Sequence, residues 1–152
     1  MDKVLFILGP TAVGKTEISI KLAKEFNGEI ISSDSVQIYR GLDIGSAKVK
    51  KEEMKGVPHH LIDIVSPNES FTAFDMTEAI KEKIKEITSR GHLPIVVGGT
   101  SLYVKSLILG YNYGGVGIDA EYRNELNKIL EKDGLEKLCE MLKNEDESAF
   151  DK

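Results

Sequence analysis

The sequence predicts an α/β protein in which a mainly parallel sheet is flanked by helices. Short apolar runs typical of buried strands recur along the chain, and segments with helical spacing separate them. A glycine-rich loop also joins the first apolar run directly to the first helix. At 152 residues the chain can bury one ordinary core. The four predicted strands are residues 4–8, 29–32, 61–65 and 93–97.

The loop after the first predicted strand reads GPTAVGKT. The spacing G-x-x-x-x-G-K-T turns successive backbone N–H groups inward at the start of a helix, where they bind phosphate. Lys15 adds a positive charge, and the Thr16 hydroxyl is suited to Mg²⁺. The sequence therefore predicts a P-loop NTPase-like sheet that binds a di- or triphosphate. The predicted site is Gly9, Pro10, Thr11, Ala12, Val13, Gly14, Lys15 and Thr16.

Three helices are predicted between and after the strands. The second is the best marked, because Thr72 is a typical N-cap, Asp75 lies three residues on, and Gly91 follows the end of the pattern. The third should span residues 101–109. The apolar side chains that mark the first helix as amphipathic are Ile18, Leu22 and Phe26.

Beyond Gly110 the pattern changes to a glycine-rich segment followed by two short amphipathic helices, with Gly134 between them. We expect their apolar stripes to be core. The stripes are Tyr122, Leu126, Ile129 and Leu130 in one helix and Leu135, Leu138, Cys139 and Leu142 in the other. The predicted organisation is a core of residues 1–114 and a helical hairpin of residues 115–152.

Composition narrows the class of protein. The formal net charge of −5 argues against a general nucleic-acid coat, which would be basic. A single cysteine, Cys139, excludes an internal disulfide framework and favours a reducing cytoplasm. We expect no signal peptide and no membrane span. Four lysines in one predicted loop are expected to be a solvated surface: Lys48, Lys50, Lys51 and Lys55.

A polar stretch, SSDSVQIYR, follows the second predicted strand. Ligands of open parallel sheets bind outside the carboxyl ends of the strands, so Asp34 should face the same crevice as the phosphate loop. A carboxylate there can hold Mg²⁺ through water or accept a proton from an incoming nucleophile. The alternative is that Asp34 merely caps a turn, since Asp and Ser are typical turn residues.

Four motifs, in this order and spacing, closely resemble the tRNA dimethylallyltransferase family, also called tRNA isopentenyltransferases. They are GPTAVGKT, DSVQIYRGLDIGSAK, PHHLIDI and VGGTSLYVKSLILG. The resemblance covers essentially the whole chain and weakens in the helical hairpin. The phosphate loop alone would indicate only a superfamily, whereas the four motifs together are specific.

The resemblance implies transfer of a dimethylallyl group from dimethylallyl diphosphate to the exocyclic N6 amine of the adenosine 3′-adjacent to the tRNA anticodon. The loop, Lys15 and Mg²⁺ near Thr16 would stabilise the leaving diphosphate. Asp34 matches the catalytic aspartate, and the Thr100 hydroxyl would lie close to the reacting groups. We assign no catalytic role to His59 or His60. The residues implied to contact tRNA are Asp34, Ser35, Val36, Gln37, Thr100 and Arg123.

Members of this family are usually longer, so the chain resembles an amino-terminal portion that ends within a helical insertion. The resemblance implies a cytoplasmic enzyme that is monomeric at full length and acts on the tRNA anticodon loop. One alternative is an incomplete fragment that binds diphosphate only or associates through its sheet edge. Two others are a small-molecule P-loop kinase and a prenyltransferase of free adenine nucleotides.

Overall fold

The computed structural model describes residues 3–110 and 119–151. The glycine-rich segment 111–117 and the predicted boundary after residue 114 lie outside the described residues. The chain divides into two compact units, Met1–Asn112 and Tyr113–Lys152. The first unit contains β1 (Leu5–Leu8), α1 (Lys15–Glu25), β2 (Gly28–Ser32), β3 (His59–His60), α2 (Ala73–Ser89), β4 (Leu93–Gly98) and α3 (Ser101–Leu109). The second contains α4 (Ala120–Asp133), α5 (Leu135–Glu145) and α6 (Glu147–Phe150).

The strands form one parallel sheet in the order β1-β4-β2-β3. Strand β4 is therefore internal, and its register ends at Leu8↔Gly98 against β1 and at Ser32↔Val97 against β2. Because the strands are parallel, the segments that follow β1, β2 and β4 leave the sheet at one edge. The predicted class, a parallel sheet flanked by helices, is confirmed.

Both faces of the sheet are apolar, as expected for strands that are covered by helices on each side. Ile30 and Ile95 pack against Ile20 of α1 on one face. The next residues along the strands, Ile31 and Val96, belong to the cluster on the other face. Helix α2 contributes Met76, Ile80 and Ile87 to that second cluster, and Tyr103 and Leu107 of α3 pack against it.

The predicted start of α2 is confirmed as a capping box. The Thr72 hydroxyl accepts a hydrogen bond from the Asp75 backbone N–H at 3.2 Å, and the Asp75 carboxylate accepts one from the Thr72 N–H at 2.8 Å. Gly91, at φ 77°, follows the helix in the left-handed conformation that favours glycine. Helix α3 occupies the predicted residues.

The predicted third strand at residues 61–65 is wrong. The third strand is the two-residue β3, which pairs with Ile30 and Ile31 of β2. Leu61 and Asp63 have φ values of 60° and 55°, in the left-handed region, so the chain cannot remain extended through them. The apolar run therefore forms a turn that packs its side chains without joining the sheet.

Helix α1 is confirmed, but two of the three apolar residues that marked it do not face the core. Ile18 is 51% exposed and Phe26 is 57% exposed. The buried face consists of Ser19, Ile20 and Ala23. The phosphate loop fixes where α1 begins and hence its rotation, and small residues on the buried face let the helix approach the sheet closely.

In the second unit, α4 begins at an Asp119 N-cap, whose carboxylate accepts a hydrogen bond from the Tyr122 N–H at 2.9 Å. No residue of α4 or α5 is buried, so the expectation that their apolar stripes form core is wrong for the described residues. Leu130 and Leu135 are exposed. Among the helices that the structure describes, none is long and apolar enough to cross a bilayer.

At the amino ends of the strands, a buried carboxylate holds three elements together. Glu29 of β2 is 4% exposed. It accepts hydrogen bonds from His60 Nε2 at 2.6 Å, from Arg90 at 2.8 Å and from His92 Nδ1 at 2.6 Å. Burial alone would raise the pKa of Glu29, but these hydrogen bonds outweigh it and lower the pKa.

This cluster predicts an acid-sensitive fold. A lowered carboxyl pKa stabilises the folded chain above the unfolded pKa of about 4.3, and that stability is lost as the pH falls through the folded pKa. Glu29→Gln should reduce the free energy of unfolding at pH 7 by about 2 to 3 kcal/mol. It should also flatten the pH dependence between about pH 5 and 3. Urea unfolding at several pH values measures both effects.

Glu86→Gln is the matched control, because Glu86 also pairs with Arg90, at 2.7 Å, but lies at the surface. An exposed ion pair contributes little, so this variant should unfold much like the wild type. Equal losses in the two variants would contradict the role given to the buried carboxylate.

Candidate active site

A cavity of about 370 Å³ opens at the carboxyl edge of the sheet. Its walls come from the phosphate loop and first turn of α1, the turn after β2, residues 46, 47 and 49, and the ends of β3 and β4. Asp34 and Lys15 both line it, as the sequence predicts for the crevice. The cavity is therefore the place where loop and carboxylate can act on one ligand.

The phosphate loop leads from β1 into α1 through two left-handed residues, Ala12 at φ 67° and Gly14 at φ 85°. Gly14 is the N-cap of α1, and no side chain caps this helix end. Its first-turn N–H groups are therefore available to an anion, and the helix dipole favours negative charge there. The Lys15 ammonium folds back over the loop and donates to the Pro10 carbonyl oxygen at 2.7 Å.

Asp34 caps a turn and also lies on the cavity, so its position is compatible with both interpretations of the sequence. Its Oδ1 accepts hydrogen bonds from the backbone N–H groups of Val36 at 2.8 Å and Gln37 at 3.2 Å, so it does cap a turn. Its side chain also lines the cavity. The capping bonds occupy one carboxylate oxygen and fix the plane of the group, which leaves Oδ2 for a ligand.

Strand β4 approaches the turn after β2 very closely at Gly98. A Cβ atom on Gly98 would lie 2.1 Å from Ser33 Oγ and 2.7 Å from the Ser33 carbonyl oxygen. The Ser33 N–H donates to the Val97 carbonyl at 2.8 Å, which continues the β2–β4 pairing beyond the strand. This contact brings Asp34 beside the strand that ends at Gly98. Thr100, two residues on, is the N-cap of α3.

Part of the cavity lining is apolar. Ile30, Val49, Ile62 and Val97 contribute to its lining alongside the polar groups of the phosphate loop. The cavity thus combines a phosphate site with hydrocarbon walls, which suits a ligand that carries both a phosphate and an apolar group.

His59 also lines the cavity, although no catalytic role was predicted for it from the sequence. Its Nδ1 lies 2.8 Å from the Val57 carbonyl oxygen, which only accepts, so Nδ1 carries the proton. Its Nε2 is a buried acceptor without a partner in the described structure, as is Ser46 Oγ on the same cavity. Burial lowers the pKa of His59 and favours a neutral ring. Strand alternation puts adjacent histidines on opposite faces, which is the signal that could have found it.

The other residues predicted to contact tRNA differ in whether they line the cavity. Gln37 lines it, and its Nε2 donates to the Ala47 carbonyl at 3.3 Å. Ser35 and Val36 are exposed on the same turn. Arg123 is exposed on α4 and belongs to the second unit.

The polar groups of the cavity fit a hard divalent cation. The Thr16 hydroxyl and the Asp34 carboxylate both line the cavity and could supply oxygen ligands, and Mg²⁺ typically takes one or two protein oxygens with phosphate and water completing the set. Among the described residues there is no cluster of three His, Cys, Asp or Glu side chains that would hold a metal alone. A cation here would therefore accompany a phosphate ligand.

A sequence model of the IPP transferase family matches residues 37–152. The chain belongs to that family. The tRNA dimethylallyltransferase of Bacillus anthracis is 52% identical over 149 residues, which is 97% of this chain and 48% of that protein. The family match agrees with the resemblance seen in the four sequence motifs.

Solved structures of the IPP transferase family share the fold. The full-length tRNA isopentenylpyrophosphate transferase of Bacillus halodurans has a TM-score of 0.73 at 49% identity, over 99% of this chain and 50% of that one. A eukaryotic dimethylallyltransferase, described as acting on tRNA, has a TM-score of 0.81 at 34% identity, over 99% and 37%. The chain spans about half the length of the curated relatives that it matches.

The contact at Gly98 predicts that alanine substitution lowers the free energy of unfolding much more at Gly98 than at Gly99. Gly98→Ala should lower the free energy of unfolding by about 1 to 3 kcal/mol, because the new methyl group collides with the Ser33 backbone. Gly99→Ala is the control, since a Cβ there meets only the Gly9 carbonyl oxygen at 3.4 Å. Urea denaturation of both variants measures the difference. Similar values for the two would mean that the close approach does not constrain the sheet.

Proposed function

We propose that this chain carries the catalytic core of a tRNA dimethylallyltransferase. It would transfer a dimethylallyl group from dimethylallyl diphosphate to the N6 amine of the adenosine 3′-adjacent to the anticodon. The observation that carries the proposal is that the phosphate loop, several apolar side chains and the Asp34 carboxylate line one cavity. The relatives at 52% identity, named tRNA dimethylallyltransferases, support the choice of reaction.

The phosphate loop binds the donor's diphosphate, which is also the leaving group. Negative charge builds on its oxygens as the allylic C–O bond breaks, so preorganised donors stabilise the transition state more than the ground state. The first-turn N–H groups of α1 and the Lys15 ammonium supply those donors. The Thr16 hydroxyl would hold Mg²⁺, which would supply further positive charge to the diphosphate.

The apolar side chains of the lining accommodate the five-carbon group. Ile30, Ile62 and Val97 contribute to the lining, and they exclude water from the carbon that reacts. This matters because water would otherwise compete with the amine for an activated allylic carbon. Hydrocarbon contacts also align that carbon relative to the acceptor.

The acceptor amine is a weak nucleophile, since its lone pair is delocalised into the purine ring. In the proposed step, the N6 lone pair forms the new C–N bond, the diphosphate leaves with the C–O electron pair, and the N6 proton passes to Asp34. The capping bonds from Val36 and Gln37 hold Asp34 ready for this transfer. An anticodon-loop adenine can leave its stack at less cost than a base in a duplex.

The direct test uses the purified chain, dimethylallyl diphosphate, Mg²⁺ and unmodified tRNA with adenosine 3′ of its anticodon. Mass spectrometry of the digested nucleosides should show a gain of one dimethylallyl group. Asp34→Asn keeps an oxygen for the turn cap but removes the base, so the rate should fall by at least about 100-fold. Affinity for the diphosphate should remain. Lys15→Met should instead weaken diphosphate binding itself.

Other outcomes separate the alternatives. Diphosphate binding without transfer would make the chain a diphosphate-binding portion of the family. Hydrolysis or transfer from ATP without RNA would indicate a small-molecule kinase. Prenylation of free AMP at a rate equal to that of tRNA would show that no anticodon contact is needed. An Asp34→Asn variant with wild-type rate would remove the aspartate from the mechanism.

A further inference from the structure

Lys48 is not the solvated surface lysine that the sequence predicts. Its side chain is only 6% exposed. The ammonium donates to the Tyr39 carbonyl oxygen at 2.8 Å, to Asp43 Oδ1 at 2.8 Å and to Asp63 Oδ1 at 2.6 Å. An ammonium group has three N–H donors, so all of them are used.

These three acceptors come from separate segments of the chain. Tyr39 ends the turn after β2, Asp43 lies in the loop that follows, and Asp63 lies in the turn after β3. Arg40 reinforces the junction, since its guanidinium donates to the Asp63 carbonyl at 2.9 Å and to the Ile64 carbonyl at 3.0 Å. Lys48 therefore ties the 40–48 loop to the turn after β3.

The positive charge of Lys48 is compensated by Asp43 and Asp63 within this junction. Burial alone would lower the pKa of Lys48, but Asp43 and Asp63 outweigh it and raise the pKa. The ammonium stays protonated and paired, so it does not serve as a free cation for a phosphate ligand. Ala47 and Asp63, at φ 49° and 55°, adopt left-handed conformations that persist only where surrounding contacts fix them.

The junction adjoins one wall of the cavity, because the sequence neighbours of Lys48 line it. Ser46 and Ala47, the two residues before Lys48, line the cavity, as does Val49 after it. The Ala47 carbonyl accepts the hydrogen bond from Gln37 Nε2. The backbone N–H of Gln37 in turn donates to Asp34 Oδ1. A continuous set of contacts thus runs from Lys48 through the wall to the carboxylate.

We propose that Lys48 is a positioning residue for the acceptor side of the cavity: it fixes the wall of residues 46–49 and, through Ala47, the carboxamide of Gln37. The inference rests on the proposed function and on the tRNA contact that the resemblance implies for Gln37. Diphosphate binding depends on the loop and α1, to which Lys48 makes no hydrogen bond in the described structure. Loss of Lys48 therefore impairs RNA recognition and leaves the donor site intact.

Lys48→Met tests this with three measurements on the full chain. Hydrogen exchange of residues 37–49 should accelerate while the amides of β2 and β4 stay protected. Affinity for an anticodon stem-loop RNA should fall by about 10- to 100-fold, because the wall loses its fixed geometry. The Kd for dimethylallyl diphosphate should change by less than about twofold, far below the tenfold change that 1.4 kcal/mol produces.

Lys51→Met is the matched control, since Lys51 lies in the same segment but is exposed. It removes the same charge from the same segment without touching the junction. Asp43→Asn is a milder variant, because Asp63 and Tyr39 still hold the ammonium, and it should give an intermediate change. If Lys51→Met weakens RNA binding as much as Lys48→Met, general charge rather than position is responsible and the inference is overturned.

Two further outcomes separate this inference from the proposed function. Unchanged exchange in residues 37–49, or parallel losses of RNA and diphosphate affinity, would overturn the positioning role of Lys48. A wild-type chain that binds diphosphate but no RNA would overturn the proposed acceptor and the RNA part of this inference. The exchange measurement would then still decide whether Lys48 fixes the wall.

Discussion

The arrangement of the cavity depends on the close approach of two strand ends at Gly98. Because residue 98 has no Cβ, the Ser33 backbone can lie against it and extend the β2–β4 pairing by one hydrogen bond, Ser33 N–H to the Val97 carbonyl. Asp34 follows immediately and is held at the same edge as the phosphate loop. A side chain at residue 98 would separate β2 from β4 at the point where their segments must converge on one ligand.

In the first unit, the polar and charged groups at the two ends of the strands are paired differently. At the amino ends, Glu29 is surrounded by donors from His60, Arg90 and His92, so its charge is compensated within the protein. At the carboxyl ends, α1 presents an uncapped N-terminus, and Ser46 Oγ and His59 Nε2 are buried without partners among the described residues. Two of the buried polar atoms without a partner therefore lie on the cavity, where a ligand can bond them, whereas the Glu29 carboxylate at the opposite end is fully paired within the protein.

The sequence predicted well those features that depend only on residues close together in the chain. The phosphate loop, the capping box at Thr72 and the extent of α3 depend on residues a few positions apart. The sequence-based prediction failed where contacts between residues far apart in the chain decide the conformation. Residues 61–65 are apolar enough for a strand, but Leu61 and Asp63 turn into the left-handed region, where Lys48 and Arg40 bind the Asp63 segment. The burial of Lys48 requires two carboxylates that are 5 and 15 residues away, and no local pattern reveals that pairing.

The composition of the cavity also bears on which phosphate compound it binds. A phosphate loop by itself is compatible with ATP, and its Gly14 and Lys15 would serve either ligand. The difference lies beyond the phosphates, where a nucleoside needs hydrogen-bonding partners for its sugar and base, whereas a prenyl group needs hydrocarbon. Ile30, Ile62 and Val97 contribute hydrocarbon to the lining. Ser46 and His59 line the same cavity, and each has a buried polar atom without a partner among the described residues, which a purine edge can use. This combination of hydrocarbon and unpaired polar groups favours a prenyl diphosphate as donor and an adenine as acceptor over a nucleoside triphosphate.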